Sequence, residues 1–189
     1  ETQQPEQQQD EFQYTSDTEP QSDSDSNSYY DDDPGPYFGN APGPVPLGCF
    51  RLSDININNL ETHHASAKDK QLYQAIEDYD ISILGLQEVG VDWSRIPRIA
   101  QMQQRLNSWF EKGTTKCVME HNRHDKVKLA KQWGGTGIIA RNKISYYARG
   151  RGTDSKGLAR WTWARYQGIQ DQHFRFVSIY QPCKNTGGQ

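Results

Sequence analysis

Residues 81–92, ISILGLQEVGVD, constrain the fold most, because an apolar run stops there abruptly at a carboxylate, Glu88. Residues 81–86 carry no charge, which is the pattern of a strand buried on both faces. Parallel strands of α/β proteins deliver functional groups at their carboxyl ends. Glu88 is therefore the first candidate for a site residue, although a solvated glutamate in an ordinary strand-to-loop turn gives the same short pattern.

Charge divides the chain into two parts. The first 48 residues contain 11 Asp and Glu and no Lys or Arg, and this composition predicts an acidic, disordered tail that ends in a Pro/Gly linker. The remaining 141 residues carry 21 Lys and Arg against 13 Asp and Glu, a net charge of about +8. We therefore expect the folded domain to span residues 49–189.

A basic domain favours a polyanionic partner, because Lys and Arg that neutralise phosphates release counterions. Charge alone does not distinguish between nucleic acid, an acidic protein and a lipid surface as the partner. The sequence has no apolar run of about 18 residues, so we predict no membrane span, and no signal peptide is visible. Three cysteines without a CxxC pair favour reduced thiols in an intracellular protein, with the nucleus as one candidate compartment.

The spacing of apolar residues and the positions of turn-forming residues predict the first elements. Residues 49–60 are expected to form a strand that ends near 56–59, followed by an amphipathic helix over 67–79 and the buried strand 81–87. A second helix is expected over 96–112, with Pro97 near its start, and then a short strand over 115–120. His121 and His124 have the i, i+3 spacing of metal ligands, but a polar loop is the more economical interpretation.

After residue 131 the apolar pattern changes from period 3.6 to period 2. Strands are predicted over 136–141, 144–148, 158–167 and 174–180, paired as antiparallel hairpins. The GGTG sequence before residue 138 predicts a tight turn rather than a phosphate loop. The whole order, strand and helix twice and then a meander, predicts a layered α/β (α+β) fold with a mixed sheet. Alternating aromatics in the last two strands are expected to be core rather than base-stacking platforms, and they are Trp161, Trp163, Phe174 and Phe176.

A series of motifs then resembles the endonuclease/exonuclease/phosphatase superfamily, which has a DNase I-like fold, over about residues 49–183. Its most specific part is the order Asn, Gln-Glu, Tyr-x-Pro. The Asn-Ile-Asn-Asn-Leu version resembles the endonuclease domains of non-LTR retrotransposons. The residues that carry the resemblance are Asn56-Ile57-Asn58, Gln87-Glu88, Gly134-Gly135-Thr136-Gly137, Arg160 and the run from Val177 to Pro182.

The resemblance implies a site. It makes Glu88 a ligand of a catalytic Mg²⁺ (or Mn²⁺), with Asn56 beside it at the phosphate and metal. Asn58 stands where relatives often have Asp. Tyr180 would donate a hydrogen bond to the scissile phosphate, and Arg160 matches an arginine of the same sheet region. Cys183 replaces an Asn that touches DNA in many nuclease relatives.

The same resemblance covers only the amino-terminal half of the superfamily's sandwich. The superfamily's second half carries an Asp-x-Asn, another Asp and a closing Asp-His pair, and these have no counterpart after Tyr180 in these 189 residues. We therefore expect this sequence by itself to hydrolyse DNA little and to be poorly stable. Three functions stay open: a retroelement-type DNA endonuclease domain present as a fragment, a phosphoinositide or sphingolipid phosphatase, and a non-catalytic nucleic-acid-binding module.

The acidic tail suggests one further hypothesis. A segment of charge −11, tethered to a domain of about +8, is expected to contact the basic surface loosely and to compete with nucleic acid. The alternative is a merely solubilising arm. Screening by salt over about 8 Å would weaken such a contact and so distinguish the two.

Overall fold

A computed structural model of the protein describes residues 43–125, 129–168 and 170–181, which belong to a unit spanning residues 39–189. Residues 1–42 of the predicted acidic tail, and Cys183, lie outside the described residues, so the domain boundary stays a prediction. Two single-turn 3₁₀ helices, Trp93–Arg95 and Arg98–Ala100, lie between the second strand and the second α-helix. The other elements are β1 Arg51–Asn56, α1 Ala67–Asp78, β2 Ile81–Gln87, α2 Met102–Trp109, β3 Thr115–Glu120, β4 Thr136–Arg141, α3 Lys143–Tyr146, β5 Ala148–Thr153, β6 Trp161–Gln167 and β7 His173–Ile179.

The first sheet has the strand order β1-β2-β4-β3 and is mixed. Strand β2 pairs in parallel with β1 and antiparallel with β4, which in turn pairs antiparallel with β3. The uncharged run of β2 lies at the centre of this sheet, and Ile83, Leu84 and Leu86 are all buried. The expectation of a strand covered on both faces is therefore confirmed.

Helices α1 and α2 cover one face of the first sheet. Helix α1 starts at a capping box in which Ser66 and Asp69 bond each other's backbone N–H groups, and it buries Leu72 and Ile76. Helix α2 buries Leu106 against the same face. The apolar core between helices and sheet also includes Leu60, Ile81, Leu84, Leu86, Val89, Val91, Trp93, Ile96, Ala100, Met102 and Ile139.

A fully buried ion pair joins the two helices. Arg105 of α2 donates from Nη1 to Asp69 Oδ1 of α1 at 2.8 Å, and both side chains are at most 1% exposed. Its other nitrogens donate to the carbonyl oxygens of Ala100 (2.7 Å) and Glu61 (2.8 Å). Each nitrogen of the guanidinium thus has a partner, and the buried charge is compensated by the Asp69 carboxylate.

The second sheet is antiparallel, with the order β5-β6-β7. It packs face to face on the first sheet through a second core that contains Ile83, Ile138 and Ala140 from the first sheet and Ala164 and Tyr166 from the second. The layered α/β arrangement with a mixed sheet, expected from the sequence, is therefore confirmed. Among the described residues, no helix combines the length and the apolar character needed to cross a membrane.

Two predicted elements are wrong. The helix expected over 96–112 is one 3₁₀ turn, Arg98–Ala100, followed by the shorter α2, because Gln101 adopts an extended backbone and its Nε2 donates to the carbonyl oxygens of Trp93 and Ile96. The strand expected over 144–148 is the single-turn helix α3. The real strand, β5, begins at Ala148 and runs through glycines that were expected to form a loop.

The aromatic residues of β6 and β7 divide between the two faces of their sheet. Phe174 and Phe176 pack against the second core, as expected. The same expectation is wrong for Trp161 and Trp163, which are half-buried and alternate with the buried Thr162 and Ala164, so they lie on the opposite face. The guanidinium of Arg175 lies over the Trp163 ring, 4.2 Å from its centroid.

Candidate active site

Strands β1 and β2 end side by side, and their last residues, Asn56 and Gln87, are register partners. Glu88 follows Gln87 with a φ of 50°, a left-handed conformation that is uncommon for a residue with a side chain. Its carbonyl oxygen accepts the N–H of Asn59 at 2.7 Å, so the chain after β1 stays bonded to the chain after β2. The structure thus places Asn56 and Glu88 at the same edge of the first sheet, as expected from the order of the parallel strands.

The loop that follows β1 is held in a strained conformation. Asn58 and Asn59 both have positive φ, at 46° and 68°, and the N–H of Asn58 donates to Asn56 Oδ1 at 3.0 Å. Lys68 reaches back from α1 and donates from Nζ to the carbonyl oxygens of Ile57, Asn58 and Asn59. The turn expected near Asn59 is therefore present, and Lys68 is a residue of this region that sequence reasoning missed.

The Gly134-Gly135 turn forms the other wall of this edge. The N–H of Val89 donates to the Gly135 carbonyl oxygen at 3.2 Å, and the N–H of Gly90 donates to that of Gly134 at 2.7 Å. Both glycines of the turn have positive φ, and a Cβ at Gly134 would lie 3.3 Å from Tyr180 Cε1. The ring of Tyr180 therefore lies close to Gly134, whose backbone is bonded to the segment that follows Glu88.

Arg160 and Tyr180 are joined through their backbones, since the N–H of Tyr180 donates to the Arg160 carbonyl oxygen at 2.7 Å. Arg160 was expected inside a strand, but β6 begins one residue later, at Trp161. Its own N–H donates to Asp154 Oδ2 at 3.3 Å, and its side chain is exposed. The structure therefore places Arg160 next to Tyr180, at the start of β6 rather than within it.

Asp54 is a further polar residue of this region that the sequence did not single out. It lies two residues before Asn56 on β1, and its carboxylate accepts from Gln87 Nε2 and from the Ser178 hydroxyl of β7, the latter at 3.3 Å. Burial raises the pKa of the Asp54 carboxyl, against the hydrogen bonds from Ser178 and Gln87, which lower it. Asp54 thus connects both sheets directly behind the Gln87-Glu88 segment.

Gly85 of β2 explains how the Asp54 carboxylate reaches β7. Gly85 is the register partner of Asp54, and a Cβ at this glycine would lie 2.0 Å from Asp54 Oδ1. Any side chain larger than hydrogen would displace the carboxylate from its place between the sheets. A glycine in the middle of a buried strand is therefore a signal that could have drawn attention to its neighbour.

The donors at this edge fit a hard divalent cation. They are a carboxylate at Glu88 and an amide oxygen at Asn56, and Mg²⁺ is commonly held by one or two carboxylates while it keeps several waters. Within the described ranges, the Glu88 carboxylate forms no hydrogen bond or ion pair, so it is available to a ligand. No cluster of three or more His, Cys, Asp or Glu side chains with metal-binding geometry occurs among the described residues.

His121 and His124 have other partners. His121 Nε2 lies 3.3 Å from Asp92 Oδ1, and His124 Nε2 lies 2.9 Å from the Lys156 carbonyl oxygen. The expectation of a loop at these residues is confirmed for residues 121–125. Cys49 and Cys117 are free thiols.

No family model matches the sequence, and no curated protein matches it. Among solved structures, the chain is similar to the 3′ phosphatase NExo from Neisseria bound to a product DNA hairpin, with 17% identity, a TM-score of 0.44 and 70% of this chain covered. It is also similar to an AP endonuclease from Archaeoglobus fulgidus, with 14% identity, the same TM-score of 0.44 and the same coverage. The match covers 41% of the length of each of those two proteins.

Proposed function

We propose that the protein is a Mg²⁺-dependent phosphodiester hydrolase domain, and that its substrate is DNA, as in retroelement-type endonucleases of the endonuclease/exonuclease/phosphatase superfamily. The observation that carries the proposal is the convergence of three separate chain segments at one edge of the sandwich. The ends of β1 and β2, which carry Asn56 and Glu88, lie side by side, and Gly134, next to the ring of Tyr180, accepts a hydrogen bond from Gly90 two residues after Glu88.

The residues at this edge have complementary roles in the proposal. Glu88 and Asn56 would hold Mg²⁺ (or Mn²⁺), which when bound neutralises charge on phosphoryl oxygens. The Tyr180 hydroxyl would donate a hydrogen bond to the scissile phosphate, and the exposed Arg160 would add a positive charge beside it. Asn58 would bind the substrate, and the Asp54-Gln87 hydrogen bond would fix the orientation of the segment before Glu88.

Removing the Glu88 charge provides the first test. We expect Glu88→Gln to weaken Mn²⁺ or Mg²⁺ binding by roughly tenfold or more, because the amides of Asn56 and Asn58 bring no charge to the cation. Calorimetric titration of each metal into the wild type and the variant measures this. Glu111→Gln, at an exposed position just after α2, is the matched control and should leave the affinity unchanged. Equal metal affinity in wild type and Glu88→Gln would overturn the site assignment.

DNA as the substrate class is tested by competition. A fluorescent DNA duplex is titrated with the protein in Mg²⁺ across a salt series, and inositol phosphate is then added as the competitor. A DNA-binding domain should show affinity that falls steeply with salt and should lose little DNA to the competitor. Displacement by inositol phosphate at concentrations comparable to those of DNA would instead favour the phosphatase alternative.

A further inference from the structure

A pocket opens between the loop after β1 and the segment that leads into β4. It has a volume of about 320 Å³, within the size range of small-ligand sites. The described residues that line this Trp133 pocket are Asn59, Asp125, Leu129, Lys131, Gln132 and Trp133.

Two contacts place the Trp133 pocket beside the candidate active site. The N–H of Asn59, on one wall, donates to the Glu88 carbonyl oxygen at 2.7 Å. The residue that follows Trp133 is Gly134, where a Cβ would lie 3.3 Å from Tyr180 Cε1. A ligand in the pocket would therefore be a neighbour of any phosphate bound at the edge that carries Glu88.

The indole of Trp133 is open to a ligand. All five tryptophans lie in the described part of the chain, and Trp133 is the most exposed of them, at 84%. Among the described residues, no aromatic ring or guanidinium group packs on its indole. Stacking against a planar ligand would remove this apolar surface from water. The pocket therefore favours a planar group.

The charges of the lining do not favour an anion. Among the described lining residues, Lys131 is the one cation and Asp125 the one carboxylate. The Nζ of Lys131 already lies 2.8 Å from Glu61 Oε2. A phosphate would compete with Glu61 for this cation and would be repelled by the Asp125 carboxylate. A neutral group suits the lining better.

One polar atom of the lining lacks a partner. The Gln132 side chain is 8% exposed, and its Nε2 donates to the Val91 carbonyl oxygen at 3.2 Å. This hydrogen bond fixes the orientation of the amide. Its Oε1 is then a buried acceptor without a hydrogen bond from any residue that the structure describes. Because an unpaired buried acceptor is costly, a ligand that brings an N–H donor to it would be favoured.

We propose that the Trp133 pocket binds an unpaired nucleobase of the DNA substrate, stacked on the indole, with the exocyclic amino group of adenine or cytosine donating to Gln132 Oε1. A nucleobase is the part of DNA that is planar, neutral and equipped with N–H donors. Only an unpaired base can enter, because in a duplex both faces of each base are covered by its neighbours. The inference rests on the proposed function, and it makes the domain selective for DNA with an unpaired base near the bound phosphate.

The probe is a fluorescent DNA duplex with a one-nucleotide bulge, titrated with the full chain in EDTA so that metal-dependent cleavage is prevented. The bulged residue is adenine, purine without the amino group, or a tetrahydrofuran abasic analogue, so the backbone charge is constant. Wild type should bind the adenine bulge about tenfold more tightly than the abasic bulge, through stacking. It should bind the adenine bulge about threefold more tightly than the purine bulge, through the hydrogen bond to Gln132.

Two variants separate stacking from hydrogen bonding. Trp133→Ala should bind the adenine and abasic bulges equally, and Trp133→Phe should keep most of the preference for a base. Gln132→Met should keep the preference for a base but bind the adenine and purine bulges equally. Tyr146→Ala is the matched control, because it removes an exposed aromatic ring that does not line the pocket, and it should behave as the wild type does.

Three results would overturn the pocket and leave the proposed hydrolase intact. They are equal binding of the adenine and abasic bulges by wild type, a preference for a base that survives Trp133→Ala, and equal binding of the adenine and purine bulges by wild type. The last comparison needs no variant, so it decides the Gln132 contact even if Gln132→Met fails to fold. Failure to bind any of the DNAs would count against both proposals. Glu88→Gln should leave the ratio of adenine to abasic binding unchanged.

Discussion

The two sheets that the structure describes bury their outer faces differently. The outer face of the first sheet lies under α1 and α2, and the residues between them include Leu72, Ile76 and Ile139, all at most 3% exposed. The corresponding face of the second sheet carries Trp163, half-buried beneath Arg175, and Ile179, which is 61% exposed. The second sheet is therefore fixed mainly through the face that it shares with the first.

This difference shows where the stability of the described part of the chain originates. Apolar burial contributes about 25 cal/mol per Å² removed from water, so a residue under the helices contributes far more than one on the open face of β7. The candidate site takes residues from both sheets: the ends of β1 and β2 belong to the first sheet, and Tyr180 follows β7 of the second. Its geometry therefore depends on how the second sheet, whose outer face is more exposed, packs on the first.

The largest expected effect is on the buried ion pair under the helices. Arg105→Ala should destabilise the protein by about 3–5 kcal/mol, because it leaves the Asp69 carboxylate buried without its partner. Urea unfolding followed by circular dichroism measures the free energy of unfolding. The exposed Arg98→Ala provides the control and should change stability by less than about 0.5 kcal/mol. Equal effects of the two substitutions would show that the helix layer does not depend on this pair.

A matched pair of isoleucines tests the comparison of the two faces directly. Ile139→Ala on β4 should cost about 2–5 kcal/mol, since Ile139 is 2% exposed beneath the helices. Ile179→Ala on β7 should cost less than about 1 kcal/mol, mostly through the lower strand propensity of alanine. Both residues lie in strands, so the propensity loss is shared and the difference reports burial. Similar losses of unfolding free energy would mean that the outer face of the second sheet is as well covered as that of the first.

The same contrast explains what could be predicted from the sequence. Helix α1 and strands β2, β3 and β4 were predicted closely, because burial beneath helices gives long apolar runs or a clear 3.6 period. Strand β5 was missed because its glycines look like a loop. A Cβ at Gly152 would lie 2.4 Å from Trp163 Nε1, so this glycine is required for the indole to pack across the strand. A contact between two strands decides that position, and local pattern cannot show it.

The candidate site divides in a similar way. Asn56, Glu88 and Tyr180 stand at strand ends, and strand order alone places the first two at one edge of the sheet. Asp54 was missed because an acid within β1 resembles an ordinary exposed residue. Its partner Ser178 is 124 positions away in the sequence. Lys68 was missed because its role is to donate to backbone carbonyl oxygens in the loop, which have no signature in the sequence.

The smallest expected effect concerns Asp92, a partly exposed counterpart of the buried pair under the helices. Its carboxylate accepts from the Ser94 N–H and hydroxyl at 3.0 and 2.5 Å and from Arg95 Nε at 3.1 Å. Burial alone would raise the pKa of this carboxyl, but the hydrogen bonds from Ser94 and the positive charges of His121 and Arg95 hold it below its usual 3.8. Asp92 should therefore stabilise the fold when it is ionised.

The sign of the pH dependence follows from that lowered pKa. The contribution of Asp92 is fully present above its unfolded pKa of 3.8 and is lost as the pH falls through the lower folded value. Asp92→Asn should cost about 1 kcal/mol at pH 7 and progressively less below pH 4. Unfolding free energies measured from pH 7 to pH 3 test this, with the exposed Asp171→Asn as the control. A loss of unfolding free energy that stays constant from pH 7 to pH 3 would show that the effect of Asp92→Asn does not come from the charge of the carboxylate.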